Sequence, residues 1–103
     1  MPAAILVLAV LIASPLSAAP ADAEAPLSCL SADEFRHAVS SGRVMQPARA
    51  LRHAREAEPG EVVRISLCRR DDDYIYVITT LKRDGKVARV TLDGHSGKVS
   101  TVR

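Results

Sequence analysis

Hydrophobic and polar positions divide this chain into three blocks. Positions 3–13 hold only Ala, Ile, Leu and Val. From 31 to 58, apolar residues recur three or four positions apart, which is the period of a helix. From 61 onward, β-branched and polar residues alternate, which is the period of a strand. The order predicts helices followed by strands, and therefore an α+β fold.

The first helix is predicted over 32–41. Ser31 and Glu34 are spaced as a capping box, in which each side chain accepts a hydrogen bond from the other residue's free backbone N–H group. Gly42 follows the last apolar position and suits a left-handed stop. Local signals therefore define both ends of this helix.

A second helix is predicted over 47–58. Proline is tolerated in its first turn at Pro47, and Pro59-Gly60 follows its last position. Its inward side is narrow and made mainly of alanine: Ala50, Leu51, Ala54 and Ala57. Small side chains of this kind let a helix lie close to the surface that it covers.

Three or four strands are predicted after the helices. Val63, Ile65 and Leu67 alternate with polar residues in the first strand. The remaining strands are expected over 74–82, 87–93 and 98–102, separated by polar turns at 71–73, 84–85 and 93–97. A sheet must bury one face, so one or two N-terminal helices should pack on a three- to four-stranded antiparallel meander.

The apolar block near the start has the form of an export signal. Its 11 residues are too few to span a bilayer, which takes about 20. We expect a signal peptide over 1–21, cut after Ala21 or alternatively after Ala23. A membrane anchor and a lipid attached at Cys29 are the less favoured alternatives. A periplasmic or secreted protein is therefore predicted, with an N-terminal segment over 22–30.

Composition limits the partners of the exported part. The chain has 103 residues, room for one small domain, and its 14 basic and 12 acidic residues all follow position 21. A net charge of +2 is too small to argue for nucleic acid or an anionic membrane. We expect neither a nucleic-acid partner nor stable membrane insertion after signal cleavage.

The two cysteines, Cys29 and Cys68, are expected to form a disulfide, because an even number in an oxidising compartment favours a crosslink. Two free thiols, or a metal-binding or redox pair, are the alternatives. A redox pair usually has Cys-x-x-Cys spacing, which is absent here. Cys68 alternates out of register with Leu67, so it should point away from the helices if Leu67 packs on them and no bulge intervenes. The segment around Cys29 would then have to pass round the sheet edge.

The order of these motifs resembles the PepSY domain, over about 46–102. The residues that carry the likeness are Ala48-x-Ala50-Leu51-x-x-Ala54, Pro59-Gly60, Val63-x-Ile65-x-Leu67, Tyr76-x-Ile78, Asp84-Gly85 and Val90-x-Leu92-Asp93-x-x-x-Gly97-Lys98-Val99. We assign a PepSY-like domain to 31–103. The resemblance implies a bacterial extracytoplasmic module of a helix on an antiparallel sheet, proposed to inhibit or restrain peptidases. It implies no catalytic residues.

Catalytic and metal-binding patterns are weak in this sequence. His37, His53 and His95 lack the spacing that puts two ligands on one helical face. The acidic run 71–73 lacks the alternating ligands and glycine of a calcium loop. The Gly-x-Ser-x-Gly sequence of a serine nucleophile elbow is absent. We therefore expect no enzyme, no metal and no cofactor.

The working hypothesis is a binding module that restrains or regulates another exported protein or peptide, such as a peptidase. Its helices can cover only one face of the sheet, so an apolar strip flanked by arginines should stay partly exposed. Tyr74 is the leading candidate for contact with the partner, and the flanking arginines are Arg64, Arg69, Arg70 and Arg89. A periplasmic sensor accessory that binds a small ligand or metal ion is the alternative. The sequence indicates neither which face stays open nor an oligomeric state.

Overall fold

Two α-helices and five β-strands make up the part of the chain that the computed structural model describes, residues 3–5, 9 and 26–103. In chain order they are β1 (Ser28–Cys29), α1 (Ala32–Ser40), α2 (Pro47–Ala57), β2 (Glu61–Arg70), β3 (Asp73–Leu81), β4 (Val87–Asp93) and β5 (Val99–Val102). The strands form one sheet in the order β1-β2-β3-β4-β5, and each neighbouring pair is antiparallel. The predicted α+β meander is confirmed. It has one strand more than expected, because residues 28–29 add to its edge.

The predicted export signal lies largely outside the described residues. Cleavage after Ala21 or Ala23 falls there too, and it stays a prediction. Within the part that is described, no helix is long and apolar enough to cross a membrane.

The capping box at the start of α1 is confirmed. The Ser31 hydroxyl accepts a hydrogen bond from the Glu34 backbone N–H at 3.2 Å, and the Glu34 carboxylate accepts one from the Ser31 N–H at 3.1 Å. The N–H donated by the Ser31 backbone is the main reason that the pKa of Glu34 is lowered. The chain leaves the helix through Gly42, whose φ of +74° favours glycine.

Helix α2 lies close to the sheet because its inward side is small. Ala50 and Ala54 of this helix are fully buried, and both belong to the hydrophobic core. Both helices contribute to that one core, with Ala38 of α1 in the same cluster. The two helices therefore cover the same face of the sheet.

Tyr76 is the largest fully buried side chain of that core. It lies in register with Leu67 of β2 and Leu92 of β4, so these three side chains form a row on the helix-covered face. Its hydroxyl donates a hydrogen bond of 2.6 Å to the Met45 carbonyl, in the connection between the helices. The Phe35 ring of α1 meets it edge-on at 5.8 Å. Tyr76 thus joins the sheet to α1 and to the segment that leads into α2.

One detail of the predicted strand pattern is wrong. The alternation placed Val63 on the same side as Ile65, but the pairing of β2 with β3 shifts between Val62 and Arg64. The extra residue of this bulge puts Val62 against the core and leaves Val63 54% exposed.

Candidate functional site

The face of the sheet turned away from the helices is the candidate site. The core cluster that contains residues of both helices takes its β3 members, Tyr76 and Ile78, from one face. Ile75, Val77 and Thr79 alternate with them and so project to the other side. No described helix packs there. We call this side the open face.

One row of side chains on the open face carries three arginines. Arg64 of β2 is in register with Thr79 of β3, and Thr79 is in register with Arg89 of β4. Arg89 and Arg103, the residue directly after β5, exchange two backbone hydrogen bonds of 2.7 and 3.0 Å. Directly paired residues project to the same face. Arg64, Thr79, Arg89 and Arg103 therefore form one line across the sheet, which we call the arginine row.

The next row on the open face carries mostly hydroxyl groups. Its members are Ser66, Val77, Thr91 and Thr101, each in register with the next. Thr91 is only 8% exposed and Val77 is half-buried, so this row forms a floor rather than a rim. We call it the hydroxyl row.

A groove runs along these two rows. Its wider part has a volume of about 460 Å³ and its narrower part about 140 Å³. The two parts share Leu27, Arg89 and Thr91, so they are continuous. The remaining lining residues are Cys29, Arg64, Arg70, Ser66, Val77, Thr79, Thr101 and Arg103. No carboxylate side chain is among the described residues that line the groove, which makes its surroundings positively charged.

The Cys29–Cys68 disulfide predicted from the sequence is present, and the described chain has no free cysteine. The two residues are directly paired between β1 and β2, and Cys68 is fully buried. Cys68 alternates with Leu67 and so belongs to the open face, as expected. The segment around Cys29 reaches it by forming an edge strand. Leu27, two positions before Cys29, projects to the same side and forms a wall of the groove.

The predicted binding residues are divided between the two faces. Arg64 and Arg89 lie in the arginine row, and Arg70 lines the narrow part of the groove. Tyr74 and Arg69 are paired with each other on the helix-covered face, beside α1. A binding role for these two residues stays a prediction, at a place separate from the groove.

Tyr74 and Arg69 line a shallow depression of about 390 Å³ between α1 and the end of the sheet. The Arg69 guanidinium lies 5.4 Å from the centre of the Tyr74 ring, within the range of a cation–π contact. Asp33 and Glu34 also line this depression. Its mixed charge gives it no preference for one sign of ligand.

Only Arg64, Arg70 and Arg89 of the groove were predicted as binding residues. The residues not predicted include Leu27, Arg103 and the hydroxyl-bearing Ser66, Thr79, Thr91 and Thr101. Arg103 follows the alternation of Thr101, so extending the last strand's period by two positions would have placed it on the open face. Leu27 had no such signal, because β1 is too short to show a period.

The Asp93 carboxylate serves a turn rather than the groove. It accepts hydrogen bonds from the backbone N–H groups of Ser96 and His95 at 2.7 and 2.9 Å. The bond from Ser96 is the main reason that the pKa of Asp93 is lowered. Among the described residues, no three His, Cys, Asp or Glu side chains lie close enough together to hold a metal ion.

Comparison with protein families, with curated proteins and with solved structures finds no match for this chain. The resemblance to the PepSY domain therefore stays a prediction from the residues that carry it.

Proposed function

We propose that this protein is a small exported binding module of the PepSY type, without catalytic activity, that holds a segment of another exported protein on its open face. Binding would restrain or regulate that partner, and a peptidase is one class of partner that fits. The module would work in the periplasm or after secretion.

The groove along the open face is the observation that carries this proposal. Its floor combines the half-buried Val77 with hydroxyl groups, and Leu27 adds an apolar wall. A polypeptide offers both apolar side chains and backbone hydrogen-bonding groups, and protein interfaces combine the same two kinds of contact. The Cys29–Cys68 disulfide supports an oxidising compartment.

The test is capture of a partner by the full chain, expressed with its own export signal and recovered from the periplasm or medium. Thr79→Tyr would fill the groove with a side chain that suits a strand, since Thr79 is half-buried and lines the groove between Arg64 and Arg89. Val63→Tyr is the matched control, because Val63 is exposed at the bulge and does not line the groove. Captured proteins are then assayed for peptidase activity with and without the module.

We expect the wild type and Val63→Tyr to recover the same partner and Thr79→Tyr to lose it. Equal capture by Thr79→Tyr would show that the open face is not the binding surface. Turnover of a substrate by the isolated protein would overturn the non-catalytic assignment. The alternative, a sensor accessory for a small ligand or metal ion, would leave the wild type without any captured polypeptide.

A further inference from the structure

The arginine row lacks partners of opposite charge within the described part of the chain. The ion pairs found there are Arg36 with Asp33 and Lys82 with Glu58, and neither includes a residue of the row. Arg64, Arg89 and Arg103 are all exposed. Their guanidinium groups are therefore accessible to a ligand.

The arginine row is not placed to stabilise the fold. Arg89 and Arg103 are directly paired, and like charges in that arrangement are destabilising. Thr79 alone separates Arg64 from Arg89 across the sheet, so their backbones lie about 10 Å apart. Three positive charges in one line, with no carboxylate side chain among the described residues that line the groove, make an attractive field for an anionic ligand.

From this arrangement we infer that the groove selects an acidic segment of extended polypeptide, with two or more Asp or Glu side chains within about four residues. This inference rests on the proposed function and specifies the chemistry of the partner. The row spans three strand spacings, or about 14 Å, which is the length of about four extended residues. Arginine donates to carboxylates in a bidentate manner, and the neighbouring hydroxyl row supplies further hydrogen-bonding groups.

The shape of the groove favours a polypeptide over a lipid surface. Leu27 stands beside Arg89 as a wall, and the Val77 floor lies below it. A flat membrane cannot follow a groove bounded in this way, whereas an extended chain can lie along it. The apolar wall and floor also give side chains between the carboxylates something to contact, which a free anion would not use.

The test measures binding of labelled peptides to the full, disulfide-bonded chain by fluorescence anisotropy. One peptide of about seven residues alternates Glu with Val, and its control alternates Gln with Val, so that the two have nearly the same shape but only the first carries carboxylates. The paired variants are Arg64→Glu with Arg89→Glu, and Arg49→Glu with Arg52→Glu on the exposed side of α2. Both double variants change the net charge equally.

We expect the acidic peptide to bind and the amide peptide to bind at least about tenfold more weakly, since charge-assisted hydrogen bonds would be lost. Arg64→Glu with Arg89→Glu should cause a similar loss, and the α2 pair should have little effect. Added salt should weaken binding of the acidic peptide.

Other results would overturn this inference and leave the proposed function to its own test. Equal binding of the two peptides would show that the groove does not select acidic segments. Binding of inorganic phosphate, or of vesicles containing phosphatidylglycerol, without binding of either peptide would assign the row to a small anion or to a membrane. If Arg64→Glu with Arg89→Glu still captures the natural partner that Thr79→Tyr loses, the partner uses the groove without the arginines.

Discussion

Gly97 lies so close to the His53 imidazole that a β-carbon at position 97 would come within 2.6 Å of the ring. The Met45 methyl group would be 2.8 Å away. The turn between β4 and β5 therefore packs directly on α2. A φ of +77° adds a second reason for glycine at this position.

The same turn explains the Asp93-x-x-x-Gly97 spacing. The Asp93 carboxylate accepts hydrogen bonds from backbone N–H groups of the turn. The backbone carbonyl of Asp93 accepts one from the Gly97 N–H at 2.9 Å. Asp93 thus closes the turn, and the lack of a side chain at Gly97 lets the turn pack against α2. Both residues have structural roles here.

Gly97→Ala should lower the free energy of unfolding by about 2 kcal/mol, because the left-handed backbone opposes the methyl group and the His53 ring and the Met45 methyl group would have to shift. Gly42→Ala is the control, since Gly42 has a φ of +74° but a β-carbon added there would meet no atom within 4 Å. It should cost only about 1 kcal/mol. Urea denaturation of both variants gives the difference, and equal losses would show that the contact with His53 is unimportant.

Tyr76→Phe should destabilise the fold by about 1–3 kcal/mol, because the buried Met45 carbonyl would lose its donor.

The variant should also change how the stability of the fold responds to alkali. Burial raises the pKa of Tyr76 from 10.0 to about 12, so the unfolded chain loses this proton at a lower pH than the native protein. The contribution of the Tyr76 hydroxyl to the free energy of unfolding is fully present below pH 10 and is lost as the pH rises towards 12. Chemical denaturation between these pH values should therefore show a steeper fall for the wild type than for Tyr76→Phe. Parallel curves would contradict the pKa shift.

Thr80→Val should stabilise the protein by about 1 kcal/mol. Thr80 is 1% exposed, and its hydroxyl has no hydrogen-bond partner among the described residues. Valine has nearly the same shape, so the exchange removes an unsatisfied polar group without leaving a cavity. Thr79→Val, on the open face, should change the thermal midpoint less. A lower midpoint for Thr80→Val would indicate that the hydroxyl is satisfied in solution.

The features predicted best from the sequence are those that depend on residues only a few positions apart in the chain. The Ser31–Glu34 capping box follows from local spacing and was predicted correctly. A turn was also predicted at 84–85, but it includes Arg83, since the Gly85 N–H donates to the Lys82 carbonyl, and only Gly85 has a positive φ. Val63 was misplaced because a bulge depends on the partner strand as well as on the residue itself. Tyr74 could not be assigned to an open or covered face, because β3 is apolar on both sides and alternation alone does not show where helices pack.

The candidate site was predictable only in part for the same reason. Arg64 and Arg89 alternate with apolar residues of the core, so they could be expected on one face once that core was known. Their alignment through Thr79 depends on the register of three strands. The bulge and the turns together set that register. It therefore cannot be predicted from the residue types at individual positions.

Removing the disulfide should affect both stability and binding. The bond closes a sequence separation of 39 residues, and its loss in Cys29→Ser with Cys68→Ser should cost about 4 kcal/mol in the chain-entropy model. It would also release β1, which holds Leu27 beside the groove. Thermal denaturation should therefore occur at a lower temperature, and binding of the acidic peptide should be weaker at a temperature where circular dichroism shows that the variant is still folded.

Leu27→Ser separates these two effects. Leu27 is 37% exposed and is not part of the buried core, so its replacement should shift the thermal midpoint little. It should nevertheless weaken binding of the acidic peptide several-fold, because the apolar wall beside Arg89 would be lost. Leu81→Ser is a suitable control, since Leu81 is equally exposed but does not line the groove. If Leu27→Ser binds the peptide as the wild type does while the double cysteine variant does not, the disulfide supports binding through the sheet itself, and Leu27 is not a wall of the site.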